Sequence, residues 1–366
     1  MNVLVDIGHP GHVHLYKNLC KQLEKDGHKV YYSVRDVPVA LHLMEVYRMP
    51  YLFLGKKSNS IAGKAWKTIK NDFVLLWFVI KHKIDIGISS GISLSHVSKF
   101  TKMKAIIFGD DDDAVAQLAV KYGFPFAETV MSPSAMGPER RKTPKAIFYA
   151  GYHELAYLHP NVFTPDETVL QKIGLKKDER FFILRFVALN AYHDVGQQGI
   201  SFEKKKQLID LLKDYGRVVI TSEKNIEPEF EEYKLKVPAE DMHSLMYYSS
   251  LYIGDSQTMA SEAAVLGVPS LRCNTFVGRI SYLEEEEHRY GLTYGFTPDR
   301  FDELLEKVKS LLQDPDTKRI WEEKRRKMLS EKIDVSAFFT WFIENYPQRR
   351  DIMKTNPDNQ NRFKTH

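Results

Sequence analysis

The chain has 366 residues, of which 43% are hydrophobic and 27% are charged, and its formal net charge is +4. These values are ordinary for a globular protein of about two domains, and so small a net charge gives no argument for nucleic-acid binding. The sequence begins without the basic and apolar regions of a signal peptide, it has no membrane-spanning stretch, and Cys20 and Cys273 form no CxxC pair, so we expect a cytoplasmic protein.

Strands and helices alternate through the first half of the chain. The apolar run at 2–7 ends at a Gly-His-Pro cluster, and an amphipathic helix over 13–26 and a strand over 29–34 follow it. The alternation then continues with strands at 51–54, 84–89, 104–109 and 128–131, and with helices at 36–48, 62–82, 92–102 and 112–122. This pattern predicts a parallel sheet flanked by helices.

The second half repeats the same pattern after a segment at 132–166 that is rich in proline, glycine and charge, which we take as the linker region. Predicted strands lie at 181–186, 217–221, 251–255 and 268–272, and predicted helices at 202–214, 241–249, 257–266, 299–313, 315–331 and 335–346. We expect 354–366 to be disordered. The sequence thus predicts an α/β protein with two successive Rossmann-like domains, 1–160 and 161–335, and a C-terminal helix and tail over 336–366.

The first candidate site is the turn after the first strand, which contains Gly8, His9, Gly11, His12 and His14. Ligands of open α/β sheets bind beyond the carboxyl ends of the strands, where glycines admit them to the backbone and a helix N-terminus attracts anions. A histidine there can act as a base or as a phosphate donor. The alternative is a glycine turn with exposed or capping histidines, and we expect His14 to point into helix packing. We predict no zinc site, because no other Cys or His group has ligand spacing.

The second candidate site is the run Asp110, Asp111, Asp112 and Asp113 after the strand at 104–109. Acidic residues suit the first turn of a helix, and one of these would be its N-cap. Capping explains one or two aspartates but not four, because their charges repel one another. We therefore expect a carboxylate here to act as general base for an acceptor hydroxyl or to hold a divalent ion.

The segment 251–271 gives the strongest signal. Its strand ends at Gly254, and polar residues that suit a diphosphate occupy the loop and the first helical turn: Asp255, Ser256, Gln257 and Thr258. Glu262 lies one turn further along the helix, where its carboxylate can accept both hydroxyls of a ribose. The alternative is a capped amphipathic helix with Ser256 as cap and Glu262 on the solvated face, but this leaves the many small residues of the helix unexplained.

Three further features are less specific. Arg185 ends the strand at 181–186 and can neutralise a diphosphate or form a structural ion pair. Ser222 and Glu223 end the next strand, at the rim where a nucleobase would lie. The helix at 62–82 mixes aromatic residues with lysines, so it can rest on an anionic membrane surface, although we prefer an ordinary helix with one buried face.

These motifs resemble those of an uncharacterised bacterial and archaeal family, domain of unknown function three-five-four, of the GT-B glycosyltransferase superfamily. The resemblance covers about residues 2–330. The matching residues are Asp6, Ile7, His12 and Val13 at the first turn, Asp111 to Ala114 in the acidic stretch, with Asp113 in place of a histidine, and Gly254, Thr258, Met259, Glu262 to Ala264, Leu266, Gly267 and Pro269 in the third motif. More distantly, Gly11 to Val13 is similar to the Gly-Gly-His loop of the lipid-linked N-acetylglucosaminyltransferase of peptidoglycan synthesis.

The resemblance implies the GT-B fold, with two Rossmann-like domains facing across a cleft. It implies a nucleotide-sugar donor on the C-terminal domain, where Glu262 holds the ribose, and a glycan or lipid-linked acceptor on the N-terminal domain. It names neither the sugar nor the acceptor.

Three hypotheses about function follow. In the first, the protein is an inverting, metal-independent glycosyltransferase of surface polysaccharide synthesis that needs no cofactor besides its UDP-sugar substrate. His12 or one of Asp110 to Asp113 would then remove the acceptor proton, and Arg185 would stabilise the leaving diphosphate. In the second, it is a nucleotide-sugar 2-epimerase, although the chain lacks that family's His-x-Glu-Ala-Gly-x-Arg pattern at Asp110 to Ala114. In the third, it binds a nucleotide sugar without catalysis.

Overall fold

The computed structural model describes residues 1–55, 61–176, 178–186, 200–222 and 226–365, and the chain divides into two compact units. Unit 1 comprises Met1–Val162 and Lys332–His366, whereas unit 2 comprises Phe163–Glu331. The first boundary lies two residues beyond the predicted one at 160, and the C-terminal segment belongs to unit 1.

Unit 1 contains a seven-stranded sheet in the order β3-β2-β1-β4-β5-β6-β7, and all neighbouring strands are parallel. The strands are β1 Asn2–Ile7, β2 Lys29–Val34, β3 Tyr51–Phe53, β4 Ile86–Ser89, β5 Lys104–Phe108, β6 Thr129–Pro133 and β7 Ala146–Tyr149. The strand order reverses between β1 and β4, and ligands of such sheets bind beyond the carboxyl ends of the strands at this point.

Five helices lie where the hydrophobic patterns predict them, and two short helices lie in the segment that we expected to be a linker. They are α1 Pro10–Lys25, α2 Pro38–Val46, α3 Ile61–His82, α4 Ser93–Ser98, α5 Gln117–Tyr122, α6 Gly137–Arg140 and α7 Leu155–Leu158. The inner face of α3 contributes Leu75 and Val79 to a buried cluster with Leu4 and Leu94. In the part of the chain that the structure describes, none of the helices combines the length and the apolar character that crossing a bilayer would require.

Unit 2 contains a five-stranded parallel sheet in the order β12-β11-β10-β8-β9. Its strands are β8 Phe181–Phe186, β9 Arg217–Ser222, β10 Leu251–Gly254, β11 Ser270–Cys273 and β12 Thr293–Phe296. Its helices are α8 Thr168–Lys172, α9 Phe202–Leu212, α10 Met242–Tyr248, α11 Gln257–Leu266, α12 Ser281–His288, α13 Phe301–Gln313 and α14 Thr317–Glu331. Again, strand order reverses beside the first strand, between β8 and β10.

The end of the chain packs back onto unit 1 through α15 Val335–Glu344, α16 Gln348–Thr355 and a 3₁₀ turn at Pro357–Phe363. The ring of Phe339 lies 4.7 Å from that of Phe108 and 5.1 Å from that of Tyr149, measured between centroids. Buried Gln360 accepts a 2.7 Å hydrogen bond from the backbone N–H of Ala150. The prediction of disorder over 354–366 is therefore wrong, because this polar segment satisfies backbone groups at the edge strand β7.

The prediction of a linker at 132–166 is also wrong. It contains the end of β6, all of β7 and the short helices α6 and α7, so most of it belongs to unit 1. Four residues of β7, only some of them buried, are too few to show a clear period in the sequence.

We expect Gln360→Ala to destabilise unit 1 by about 1–3 kcal/mol, because it leaves the Ala150 N–H without its acceptor. Chemical denaturation would measure this change. Asn361→Ala, which removes an exposed amide from the next position, serves as the control and should change stability by less than about 0.5 kcal/mol. Equal stability of the Gln360→Ala variant and the parent protein would contradict the docking of the tail.

Candidate functional site

The turn between β1 and α1 lies at the carboxyl edge of the unit 1 sheet. His9 is exposed and caps α1, because its Nδ1 accepts a 3.1 Å hydrogen bond from the Gly11 N–H. His14 is buried and packs between the rings of Tyr47 and Tyr157, which confirms that it belongs to helix packing. Of the three histidines, His12 remains as the candidate for chemistry.

His12 is fixed by the turn that it follows. Its Nδ1 accepts a 3.2 Å hydrogen bond from the Gly8 N–H, so a neutral ring carries its proton on Nε2. Burial, followed by the charge of His9, lowers the pKa of His12 to about 3. A neutral imidazole in this tautomer donates a hydrogen bond through Nε2 and has no free lone pair there. The geometry thus favours a hydrogen-bond donor over the base expected from the sequence.

The guanidinium group of Arg35, which was not among the residues predicted from the sequence, lies beside the same turn. The Arg35 Nη2 atom lies 3.4 Å from Oδ2 of buried Asp6, and Asp6 Oδ1 accepts a 2.8 Å hydrogen bond from the Ser33 hydroxyl. A Cβ atom placed on Gly8 would lie 3.5 Å from Arg35 Nη1. The turn therefore combines a small residue with a nearby positive charge, an arrangement that suits an anionic or hydroxyl-rich ligand.

The aspartate run forms a loop, and none of its members caps a helix. The helix α5 begins only at Gln117, and its N-cap, Ala116, makes no side-chain capping bond. The expectation of an aspartate N-cap is wrong because the loop is fixed by long-range contacts instead.

Two arginines hold the second half of this loop. The fully buried Arg141 pairs with Asp113 and donates to the backbone oxygens of Gly109 and Asp111, at 3.2 and 2.6 Å. Arg140 Nη1 lies 3.3 Å from Oδ1 of buried Asp112. Asp112 and Asp113 therefore have structural partners, which leaves Asp110 and Asp111 as the candidates for chemistry.

Asp110 pairs with His153, a residue that lies in the wrongly predicted linker. His153 Nδ1 and Asp110 Oδ2 are 3.0 Å apart, and the His153 ring lies parallel to that of Tyr149. Among the described residues, none provides a hydrogen-bond partner for the buried Nε2 atom of His153. Burial acts to raise the pKa of Asp110, but the charge and hydrogen bond of His153 outweigh it and hold that pKa at about 2. Asp110 thus stays ionised and fixes the imidazole through Nδ1.

The pKa of the neighbouring carboxyl group moves in the opposite direction. Burial, followed by the charge of Asp110, raises the pKa of Asp111 to about 7. The loop therefore presents one ionised carboxylate and one carboxyl that is protonated below neutral pH. A pair of adjacent acids whose pKa values are pushed apart is typical of acid–base sites.

In unit 2, the segment after β10 forms the predicted capped turn. Ser256 is the N-cap of α11, and its hydroxyl accepts a 3.4 Å hydrogen bond from the Met259 N–H. A Cβ atom at Gly254 would lie 2.5 Å from the carbonyl oxygen of Arg185, so only glycine fits. Gln257 and Thr258 are half-buried at the helix N-terminus, where N–H groups can meet an anion.

Glu262 is buried, with 5% of its surface exposed, and its Oε1 atom lies 2.9 Å from Nε2 of buried His243 on α10. The alternative of a Glu262 on the solvated face is therefore wrong. His243 fixes the carboxylate, a contact that the sequence could not show because the two residues belong to separate helices.

The other predicted residues of unit 2 lie at the same edge of its sheet. Arg185 is the last residue but one of β8 and is in register with Gly254 of β10, so it lies beside the α11 turn. Asp255 is buried, and its backbone oxygen accepts a 3.0 Å hydrogen bond from Asn274 Nδ2. Ser222 ends β9 and donates to the Phe186 carbonyl oxygen, whereas Glu223 lies outside the described residues.

Among the described residues, no group of three or more His, Cys, Asp or Glu side chains is placed to hold a metal ion.

Comparisons with known proteins show the family and the fold. The family model described as "Protein of unknown function (DUF354)" matches residues 1–297. An uncharacterised protein of Methanocaldococcus jannaschii is 26% identical over 301 residues, which are 78% of this chain and 86% of that protein.

Two solved structures are similar in fold. The UDP-GlcNAc 2-epimerase of Methanocaldococcus jannaschii, in complex with UDP-GlcNAc and UDP, has a TM-score of 0.63 and 12% identity over 86% of this chain and 93% of that chain. The spinosyn rhamnosyltransferase SpnG, complexed with spinosyn aglycone, has a TM-score of 0.60 and 13% identity over 94% and 100%. The predicted GT-B fold with two Rossmann-like domains is confirmed.

The raised pKa of Asp111 predicts how stability depends on pH. Between the ordinary value of 3.8 and about 7, the folded protein binds more protons at this carboxyl than the unfolded chain, so this group makes stability fall as the pH rises. We expect Asp111→Asn to lose less stability than the parent protein between about pH 5 and about pH 8. Chemical denaturation at both pH values would measure this, with the exposed Asp26→Asn as control. An unchanged pH dependence in Asp111→Asn would refute the assignment.

Proposed function

The chain belongs to the DUF354 family of proteins of unknown function, and from this premise we propose that it is a GT-B glycosyltransferase. It would transfer a sugar from a UDP-sugar to a hydroxyl of a glycan or lipid-linked acceptor, with inversion and without a metal ion. The observation that carries the proposal is the Asp110–His153 pair, whose buried Nε2 has no hydrogen-bond partner among the described residues. The buried thiols of Cys20 and Cys273 suit a reducing compartment, so we place the activity in the cytoplasm.

The Asp110–His153 pair has the chemistry of a general base. Because the His153 Nδ1–H donates to Asp110, the lone pair of the neutral ring lies on Nε2 and can accept a proton from an acceptor hydroxyl. As that proton moves, the acceptor oxygen forms a bond to the anomeric carbon of the sugar. The ionised Asp110 then stabilises the imidazolium that results, in the manner of a carboxylate behind a catalytic histidine.

His12 and Arg35 have a different role in this proposal. Since His12 is neutral and its Nδ1 is engaged by Gly8, its Nε2–H would donate a hydrogen bond to a substrate oxygen. The Arg35 guanidinium beside Gly8 would offer positive charge to the same part of the substrate. Both groups would orient the substrate, while proton transfer belongs to His153.

Unit 2 would hold the donor. The N-terminus of α11 would bind the diphosphate through the backbone N–H groups of Gln257 and Thr258, with Arg185 beside it. These groups would stabilise the negative charge that develops as the bond from the anomeric carbon to the diphosphate oxygen breaks and UDP leaves with the electron pair. The carboxylate of Glu262, held by His243, would accept the hydroxyls of the ribose.

A nucleotide-sugar 2-epimerase is the second candidate. The opposed pKa values of Asp110 and Asp111 favour it, because epimerisation at a carbon needs one group to remove a proton and another to supply one. Its chemistry breaks a C–H bond of the sugar, whereas glycosyl transfer does not.

One experiment separates these functions. The purified protein is incubated in D₂O with a panel of UDP-sugars, with and without glycan and lipid-linked acceptors. Release of UDP that depends on an acceptor supports the transferase. Deuterium in a sugar epimer without acceptor supports the epimerase and overturns our proposal. Saturable UDP-sugar binding with neither reaction indicates a non-catalytic binding protein.

We expect Glu262→Ala to weaken UDP binding by about 1–3 kcal/mol, through the loss of charge-assisted hydrogen bonds to the ribose. Isothermal titration calorimetry would measure the affinity, with Glu306→Ala on the exposed surface of α13 as control. Because Glu262→Ala also leaves His243 without this partner, Glu262→Gln, which keeps the shape but not the charge, is measured alongside it. Unchanged affinity in both folded variants would rule out the ribose contact.

We expect His153→Gln to lower kcat by about a hundred- to ten-thousand-fold, since the general base is lost. The affinity for UDP should stay within about twofold, because the residue does not belong to the proposed donor site in unit 2. Asp110→Asn should lower kcat as well, whereas His42→Gln, at an exposed position of α2, should not. Normal turnover in His153→Gln would show that another group takes the proton.

A further inference from the structure

The helix α3 has two apolar faces, one buried and one exposed. Leu75 and Val79 lie in the core of unit 1, as expected for a helix of a Rossmann-like fold. On the outside, Trp66 is 70% exposed, Phe73 is 68% exposed and Trp77 is 60% exposed. Ile69 and Ile80 are exposed as well. The preferred prediction of a helix with one buried apolar face therefore accounts for Leu75 and Val79 but not for the five exposed residues.

The exposed residues form a single stripe. Successive members are three, four, four and three positions apart, so they lie along one side of an α-helix over a length of about 21 Å. We call this stripe, which consists of Trp66, Ile69, Phe73, Trp77 and Ile80, the α3 outer face. A continuous exposed apolar stripe of this kind is typical of an interaction site, whereas single exposed hydrophobic residues are ordinary.

The part of the sequence that contains the α3 outer face is basic. Between residues 61 and 104 the sequence has eight lysines, no arginine and no glutamate, and only two aspartates, a net charge of +6. The whole chain has +4, so the rest of the molecule is slightly acidic. Lys70 and Lys81 lie along one border of the stripe, and the Lys81 ammonium is 4.6 Å from the centre of the Trp77 ring. Of the two acids, Asp72 accepts a hydrogen bond from His96 of α4 at 3.0 Å.

We propose that the α3 outer face docks on the surface of an anionic lipid bilayer. Tryptophan and phenylalanine partition into the boundary between head groups and acyl chains, and the flanking lysines bind the anionic head groups. A second copy of this chain fits less well, because it would bring the lysines that border the stripe close to those of its partner. The proposal does not depend on which reaction the protein catalyses.

The fold places the start of this surface at the same edge of the sheet as the candidate site of unit 1. In a parallel β3-α3-β4 crossover, the helix begins at the edge where β3 ends. The α3 outer face therefore starts, at Trp66, at the carboxyl edge of the sheet that also carries Gly8 and Asp110.

Sedimentation with vesicles tests the proposal. The full-length protein is mixed with vesicles of phosphatidylcholine alone or of phosphatidylcholine with phosphatidylglycerol. We expect binding to the anionic vesicles, with a blue shift of tryptophan emission. The double variant Phe73→Ser with Trp77→Ser should bind at least about tenfold more weakly. The double variant Lys70→Glu with Lys81→Glu should bind the anionic vesicles more weakly, by about fivefold for each lysine. Added salt should also reduce binding.

Two control variants test whether the effects are specific to α3. Ile352→Ser and Lys318→Glu change an exposed apolar residue and an exposed lysine elsewhere, and both should bind like the parent protein. Circular dichroism verifies that each variant is folded. Absence of vesicle binding, equal binding to neutral and anionic vesicles, or a dimer in solution that Trp77→Ser abolishes would each overturn the proposal. Release of UDP with a soluble acceptor should not change in the α3 variants. Failure of the membrane proposal can therefore be distinguished from failure of the proposed transferase.

Discussion

The buried guanidinium of Arg141 makes the aspartate loop of unit 1 possible. Four consecutive carboxyl groups at the end of one strand repel one another, and a loop of this kind needs a cation inside it. Arg141 supplies that cation and also ties the loop backbone at Gly109 and Asp111 to the strand β6 through the Ser132 hydroxyl. With Asp113 committed to Arg141 and Asp112 to Arg140, Asp110 is left for His153. The geometry of the candidate base thus depends on an arginine that contacts none of its atoms directly.

The two units use a carboxylate–histidine pair in opposite senses. In unit 1 the carboxylate of Asp110 engages Nδ1 of His153, so the pair presents an imidazole nitrogen. In unit 2 His243 engages Glu262, so this pair holds a carboxylate in place. The first arrangement suits proton transfer and the second suits recognition of neutral hydroxyl groups. In the function that we propose, the two units therefore divide proton transfer and nucleotide recognition by which partner of the pair is presented.

Much of the fold followed from local sequence patterns. The strands at 2–7, 29–34 and 181–186 and the helix at 257–266 were predicted with their observed bounds, because apolar runs and capping residues are local signals. What failed depends on contacts between distant residues. His153 lies after the short strand β7, in a segment whose proline and charge content resembled a linker, although a strand followed by Gly151 repeats the signal seen at Gly8. Likewise, no local pattern shows that Arg141 would hold the aspartates away from a helix N-terminus, or that Gln360 would pair with Ala150.

Because α15 and α16 belong to unit 1, that unit is discontinuous in the chain, whereas unit 2 is one uninterrupted segment. During synthesis the strands β5 and β7 emerge long before Phe339, whose ring covers Phe108 and Tyr149. All of unit 2 is synthesised before the segment that covers the aromatic surface of unit 1. Unit 1 therefore begins first in the sequence but is completed last. Until its last helices are synthesised, the nascent protein lacks the ring that covers Phe108 and Tyr149.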